Sequence, residues 1–193
     1  MEIRFQFDTD KAIQTMGYIV KRLDSVEKVK LMKLVYLADK AHFLRAGYPI
    51  TGDRLCALPY GPVSSGTLDT LDGWPNDRVY DFLHVDDNRV LLRHDPGHDR
   101  LTQDEMKTLD EVLRQYGAAE VWRLVRQTHE LPEYKEAYAM AEERGSKSAA
   151  ISYDSILKHA GDEEHYRLGR PVVSAAMMSH MVCPFNVGED ADL

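Results

Sequence analysis

Between Val26 and Ala46 the chain reads VEKVKLMKLVYLADKAHFLRA, its longest uninterrupted helical pattern. At about 100° per residue, Leu31, Leu34, Val35, Ala38, Ala41 and His42 fall on one arc, and Val29, Met32, Tyr36 and Phe43 on a second. A surface helix needs one apolar stripe. Two stripes imply two packing partners and a helix running through the middle of the domain. The remaining strip of Lys30, Lys33, Leu37, Lys40 and Leu44 is the side expected to meet water. Asp39 lies between the apolar arcs, where an unpartnered carboxylate would cost several kcal/mol to bury, so it is expected near a solvent gap or hydrogen-bonded.

The flanking patterns place further elements around this helix. Asp8 or Thr9 caps a first helix in which Ala12, Ile13, Met16, Ile19, Val20 and Leu23 recur at three- and four-residue steps. Asp24-Ser25 breaks it, with Ser25 or a neighbour capping the central helix, and Gly47 with Pro49 ends that helix. Leu55 and Ala57 read as a short strand, and Tyr60-Gly61-Pro62 as a rigid corner with Pro62 opening a helix over 63–71. Two β-prone runs, 79–85 and 89–93, flank Asp86-Asp87-Asn88 and predict a hairpin. Thr102-Gln103-Asp104-Glu105 is a capping box for a helix presenting Met106, Leu109, Val112, Leu113 and Tyr116 and stopping at Gly117. Helices over 118–129 and 132–143 and a short one after Ser152 follow. The fold class expected is mainly α with a small β element (α+β): a helical domain around a buried central helix, with a short strand and a hairpin. Residues 1–161 form the domain, and 162–193 a C-terminal extension packing on it or on a partner.

Composition narrows the function. The 193 residues carry 24 Lys+Arg against 32 Asp+Glu, a net charge of −8. Phosphate neutralisation needs a basic surface, so nucleic acid is an unlikely ligand and a protein partner, basic overall, a better one. No run approaches the roughly 20 apolar residues of a membrane helix, and no secretory pattern opens the chain, which makes the cytoplasm the expected compartment. Cys56 and Cys183 are too few and too far apart for a disulfide framework or a zinc quartet, and read as two small buried hydrophobes.

No phosphate loop, dinucleotide fingerprint, HExxH or nucleophile elbow occurs. His94, Asp95, His98 and Asp99 offer imidazole and carboxylate groups to a metal, but Pro96-Gly97 breaks the run and no helix orients it, so it reads equally as a solvated linker. Tyr36, Asp39, His42, Tyr60 and His129 form a polar set for acid–base chemistry or for a satisfied structural network. Of these, Asp39, Tyr60 and His129 are expected to meet around the Tyr60-Gly61-Pro62-Val63 corner. Arg123 and Arg126 with Trp122 offer a weak nucleic-acid signal, with Trp122 assigned to the core. No catalytic residue, metal ligand or cofactor is assigned.

Three segments read together, KLMKLVYLADKAHFLRAGYPI, DRLCALPYGPVSSG and RQTHELPEYKEA, resemble the Panacea domain, the SocA-like family that includes phage-associated proteins. The resemblance spans about residues 8–160. Its most specific element is the pairing of the KLxKLxY-type helix with the downstream YGPV corner. The chain departs in having Pro132-Glu133-Tyr134 where the family often has Pro-Trp. The resemblance implies an antitoxin, not an enzyme, that neutralises a cognate protein toxin by direct binding or by delivering it to a protease. The alternative class is a small hydrolase or metal-dependent nuclease using a His/Asp/Tyr site. Expected partner contacts are Lys33, Leu37, Lys40 and Leu44 on the central helix, and Met177 and Met181 in the apolar stretch 172–182, where adaptable methionines suit packing against another chain.

Overall fold

Helix α1 (Thr9–Leu23) begins where the Asp8 carboxylate accepts the Lys11 amide at 3.0 Å, satisfying one of the first-turn donors that have no partner within a helix. This is a computed structural model, and it describes residues 3–160. Among them the chain is mainly helical with two small three-stranded antiparallel sheets, the α+β class expected. No helix among the described residues is long and apolar enough to cross a membrane.

The break after α1 is more than a cap. Asp24 takes a positive φ of 59°, and Ser25–Glu27 forms strand β1 before helix α2 (Lys28–Ala46) starts with no side-chain cap. Ser25 therefore pairs with Leu91, and Val26 with Val90, instead of capping. Three residues are too few to show a period, and the pairing partner lies more than sixty positions away. Gly47, with φ 86°, closes α2 by returning its amide to Phe43 at 2.8 Å, a left-handed position that suits glycine.

Strands β2 (Leu55–Leu58) and β3 (Gly61–Ser64) form a hairpin, and β6 (Ala149–Ile151), not anticipated from the pattern, joins on the other side in the order β3-β2-β6. Pro62 lies in β3 and does not open a helix. It pairs with Ala57 on an edge strand, where a missing N–H is tolerated. Helix α3 (Ser65–Leu71) follows, its first turn capped from a distance by Asp53, which accepts the Gly66 and Thr67 amides at 2.7 and 2.6 Å. The predicted hairpin is present as β4 (Leu83–Asp86) and β5 (Arg89–Leu92), preceded by a 3-10 turn over Arg78–Asp81.

Helix α4 (Gln103–Tyr116) carries the full Thr102/Glu105 capping box, and α5 (Val121–His129), α6 (Pro132–Glu143) and α7 (Tyr153–His159, capped by Ser152) complete the order. All of these pieces are arranged about α2, which contacts α1, α4, α5 and β3. Every residue from Leu31 to Lys40 is buried. The strip expected to be wet is therefore a third packing face: Lys33 is 1% and Lys40 2% exposed, Leu37 is buried, and Lys30 and Leu44 are half-buried. A helix enclosed all round must provide partners for whatever polar groups it carries.

Candidate functional site

The partners of those lysines define a buried polar seam beneath the β2–β3 hairpin. Lys33, Tyr36 and Lys40 stand at steps of three and four on one face of α2, so their side chains reach the same neighbours. Lys33 Nζ donates to the Pro62 carbonyl at 2.7 Å. The Tyr36 hydroxyl and Lys40 Nζ both donate to Glu133 Oε1, at 2.7 and 2.8 Å. Glu133 is placed by Pro132, whose fixed φ suits the first position of α6, so its carboxylate also lies at the positive end of that helix. Burial drives the Lys33 ammonium down from 10.5 to about 7.

The corner itself is held from several sides. The Tyr134 hydroxyl donates to the Leu58 carbonyl at 2.9 Å, and the His129 ring stacks on Tyr134 at 4.9 Å and 16°. Burial and then the charge of Lys33 lower the His129 pKa, with the Tyr60 backbone opposing. Gly61, with φ 95°, is the residue this crowding requires: a Cβ there would lie 3.0 Å from both His129 Cδ2 and Thr128 Oγ1, and 3.1 Å from Lys33 Cε. His129 Nε2 and Glu133 Oε2 are buried with no hydrogen-bond partner among the described residues.

Asp39 anchors the far end of β3. Its carboxylate accepts the Thr51 amide at 2.9 Å, the Thr51 hydroxyl at 2.7 Å and the Ser64 hydroxyl at 2.9 Å. Its pKa is pushed up to about 7 by burial, with the Thr51 bonds opposing and the nearby Asp53 charge adding to the rise. The Ser64 hydroxyl is thus committed to Asp39, and Asp53 supplies the cap that Ser64 would have given α3.

The three polar residues expected to meet at the corner are distributed along it. Asp39 holds Thr51 and Ser64, His129 stacks on Tyr134, and the Tyr60 side chain points to solvent at 61% exposure. His42 faces Thr108 on α4 at 3.1 Å. Trp122, assigned to the core from sequence, is 51% exposed and meets Tyr60 edge to face at 6.1 Å. In the 94–99 loop, His94 Nδ1 bonds the Asp81 carbonyl at 2.8 Å, Asp95 pairs with Lys21 and Asp99 accepts from Gln14 at 2.7 Å. Among the described residues no group of three or more His, Cys, Asp or Glu side chains is placed to hold a metal. Met177 and Met181, with the rest of 172–182, lie outside the described residues.

The sequence pattern places Lys33 and Lys40 on a wet strip as partner contacts, because a lysine strip on a helix is ordinarily solvated, and it does not single out Glu133, whose acceptor role depends on a helix 93 positions away. A signal was present: with Leu37 and Leu44 on the same strip as the lysines, the helix has no face free of apolar residues.

Asp39 and Lys33 have opposite pH signatures. Between about pH 4 and 7 the folded chain holds a proton on Asp39 that the unfolded chain releases, so the contribution of Asp39 to stability falls as pH rises, while that of His42, lowered to about 4 by burial, rises over much of the same range. Between about pH 7 and 10.5 the unfolded chain holds a proton on Lys33 that the folded chain lacks, so stability rises. Urea melts of wild type and Lys33→Met across the upper window test this. The wild type is expected to gain up to about 1.4 kcal/mol per pH unit relative to the variant; parallel curves would place the Lys33 ammonium in contact with water.

Residues 31–135, over half of the chain, match the family model described as antitoxin SocA-like, Panacea domain. The match is narrower than the resemblance read from sequence, but it takes in the lysine face of α2, the YGPV corner and the His129–Tyr134 turn. Neither the comparison with curated proteins nor that with solved structures finds a match. With the segments that build the seam all falling inside the matched region, the chain belongs to the SocA-like antitoxin family, as a Panacea-domain protein.

Proposed function

We propose that this protein is the antitoxin of a toxin–antitoxin pair and neutralises its cognate protein toxin by direct contact, either masking it or presenting it to a protease. Family membership over residues 31–135 carries the reading and favours a non-catalytic role. The seam is compatible with it. Lys33, Asp39, Lys40 and Glu133 are sealed from solvent, and groups that no substrate reaches serve to position backbone instead of performing acid–base chemistry. With Lys33, Leu37 and Lys40 buried, the proposed interface is sought on the surface above them.

Residues 1–161 are proposed as the neutralising domain and 162–193 as an extension that packs on it or on the toxin. The test is co-expression with the neighbouring gene product. That product alone is expected to be lethal, and harmless when this chain is present. Rescue that persists in a host lacking its energy-dependent proteases indicates masking, whereas rescue lost there indicates delivery. A chain ending at residue 170 separates the roles of the extension: lost rescue with unchanged melting makes it a toxin contact, and loss of both makes it part of the core. Full rescue removes it from the mechanism. A neighbouring product that remains lethal beside the full chain overturns the antitoxin reading.

A further inference from the structure

Two surface aromatics stand side by side above the buried seam. Tyr60 is at the tip of the β2–β3 hairpin and Trp122 in the first turn of α5, both largely exposed, with 62° between their ring planes. Arg126 follows Trp122 by one helical turn and Arg123 is its neighbour. Both arginines are exposed, and neither enters an ion pair among the described residues. Two carboxylates lie nearby: Glu120 caps α5 by accepting the Trp122 and Arg123 amides at 3.0 and 2.9 Å and also feels the charge of Arg126, and Glu130 pairs with Lys135 at 2.6 Å.

The support under Tyr60 is out of proportion to what an exposed side chain needs. The Leu58 and Pro62 carbonyls on either side of Tyr60 accept from Tyr134 and Lys33, and the His129 ring packs beneath Gly61 and against Tyr134. These bonds fix the tip that carries the aromatic pair, so little further ordering is needed when something binds there. Trp, Tyr and Arg are also the residue types that dominate interface energetics.

We infer that the face formed by Tyr60, Trp122, Arg123 and Arg126 docks an acidic segment of the toxin, an apolar side chain lying against the aromatic pair and carboxylates pairing with the two arginines. This rests on the antitoxin reading above. Charge complementarity selects the occupant: two exposed arginines outside any ion pair among the described residues, on a chain of net charge −8, attract a carboxylate-bearing segment even where the partner as a whole is basic. Two arginines bordered by Glu120 and Glu130 are too small a cationic surface to track a phosphate backbone, which favours a protein over nucleic acid.

The test compares wild type with Trp122→Ala, Tyr60→Ala, the pair Arg123→Glu and Arg126→Glu, and Trp74→Ala, an exposed tryptophan elsewhere on the chain. Affinity for an inactivated form of the toxin encoded beside this gene is measured by calorimetry, alongside rescue and thermal melting of each variant. Trp122→Ala is expected to weaken binding by about 30-fold or more. The double arginine variant is expected to weaken binding by about 10-fold and to flatten its salt dependence. Melting should be unchanged in all four variants, and Trp74→Ala should bind as wild type. Wild-type affinity and rescue in the patch variants overturn the surface while leaving the antitoxin reading intact; a wild type that neither binds nor rescues overturns both. Lowered melting in the patch variants instead assigns the face to this chain's own residues 161–193. A change in sedimentation assigns it to a second copy, and loss of binding to a labelled oligothymidine assigns it to nucleic acid. Each of these outcomes also overturns the proposal.

Discussion

Leu34→Asp is expected to abolish cooperative unfolding, leaving a chain that is unfolded in water. Leu34 is fully buried at the middle of α2, and α2 is the element against which α1, α4, α5 and β3 all pack. A carboxylate there would lie in the apolar cluster that also holds Leu31, Val35 and Ala38. Introducing an unpaired buried charge is among the few single changes expected to cost more than about 4 kcal/mol, against a total of about 5–15 kcal/mol for a domain. Leu34→Ala separates charge from lost packing: it should cost about 2–5 kcal/mol and still melt cooperatively. Circular dichroism during urea titration checks both, and a Leu34→Asp chain with a near-normal transition would place Leu34 at the surface.

Lys40→Met should destabilise the chain nearly as severely, by about 3–5 kcal/mol, because it strands a carboxylate and not because the ion pair is itself a large source of stability. Glu133 Oε1 receives both Lys40 Nζ and the Tyr36 hydroxyl, and Glu133 Oε2 has no partner among the described residues. Removing Lys40 leaves a fully buried anion with one neutral donor in view. Combining it with Glu133→Gln removes that anion while keeping an acceptor for Tyr36, and the double variant is expected within about 2 kcal/mol of wild type. Denaturant melts of the four proteins give the coupling energy. Costs that simply add in the double variant would show that Lys40 and Glu133 act independently.

The surface ion pairs contrast with this one. Lys135–Glu130 and Lys158–Glu136 join exposed side chains at 2.6 and 2.8 Å, and pairs of that kind contribute about 0–1 kcal/mol each. Distance alone does not rank these interactions; the solvent around them does, since water supports a charge whose partner is lost and the protein interior does not.

Most helices were legible because their ends carry local chemistry. Asp8, the Thr102–Glu105 box, Pro132 and Ser152 each announce a helix start through groups within a few residues of one another, and α6 begins and ends where its pattern placed it. The hairpin around Asp87 was legible for the same reason. Strands β1 and β6 were not, since each is three residues long and exists only through a partner distant in sequence. Pro62 was misplaced because proline suits both the first turn of a helix and an edge strand, and only the pairing with Ala57 distinguishes them.

The candidate site divides along the same line. The sequence alone determined that α2 is central and that Asp39 needs partners, because periodicity and the cost of an unpartnered carboxylate are local properties; that the YGPV corner belongs with the KLxKLxY helix was implied by the family resemblance. Tertiary structure alone decided that Lys33 and Lys40 are inside and Trp122 outside, the reverse of what their side chains favour in isolation. A lysine is buried only when something distant receives its charge or its protons, here Glu133 and the Pro62 carbonyl. Those acceptors lie 29 and 93 positions away, at separations no helical period reports.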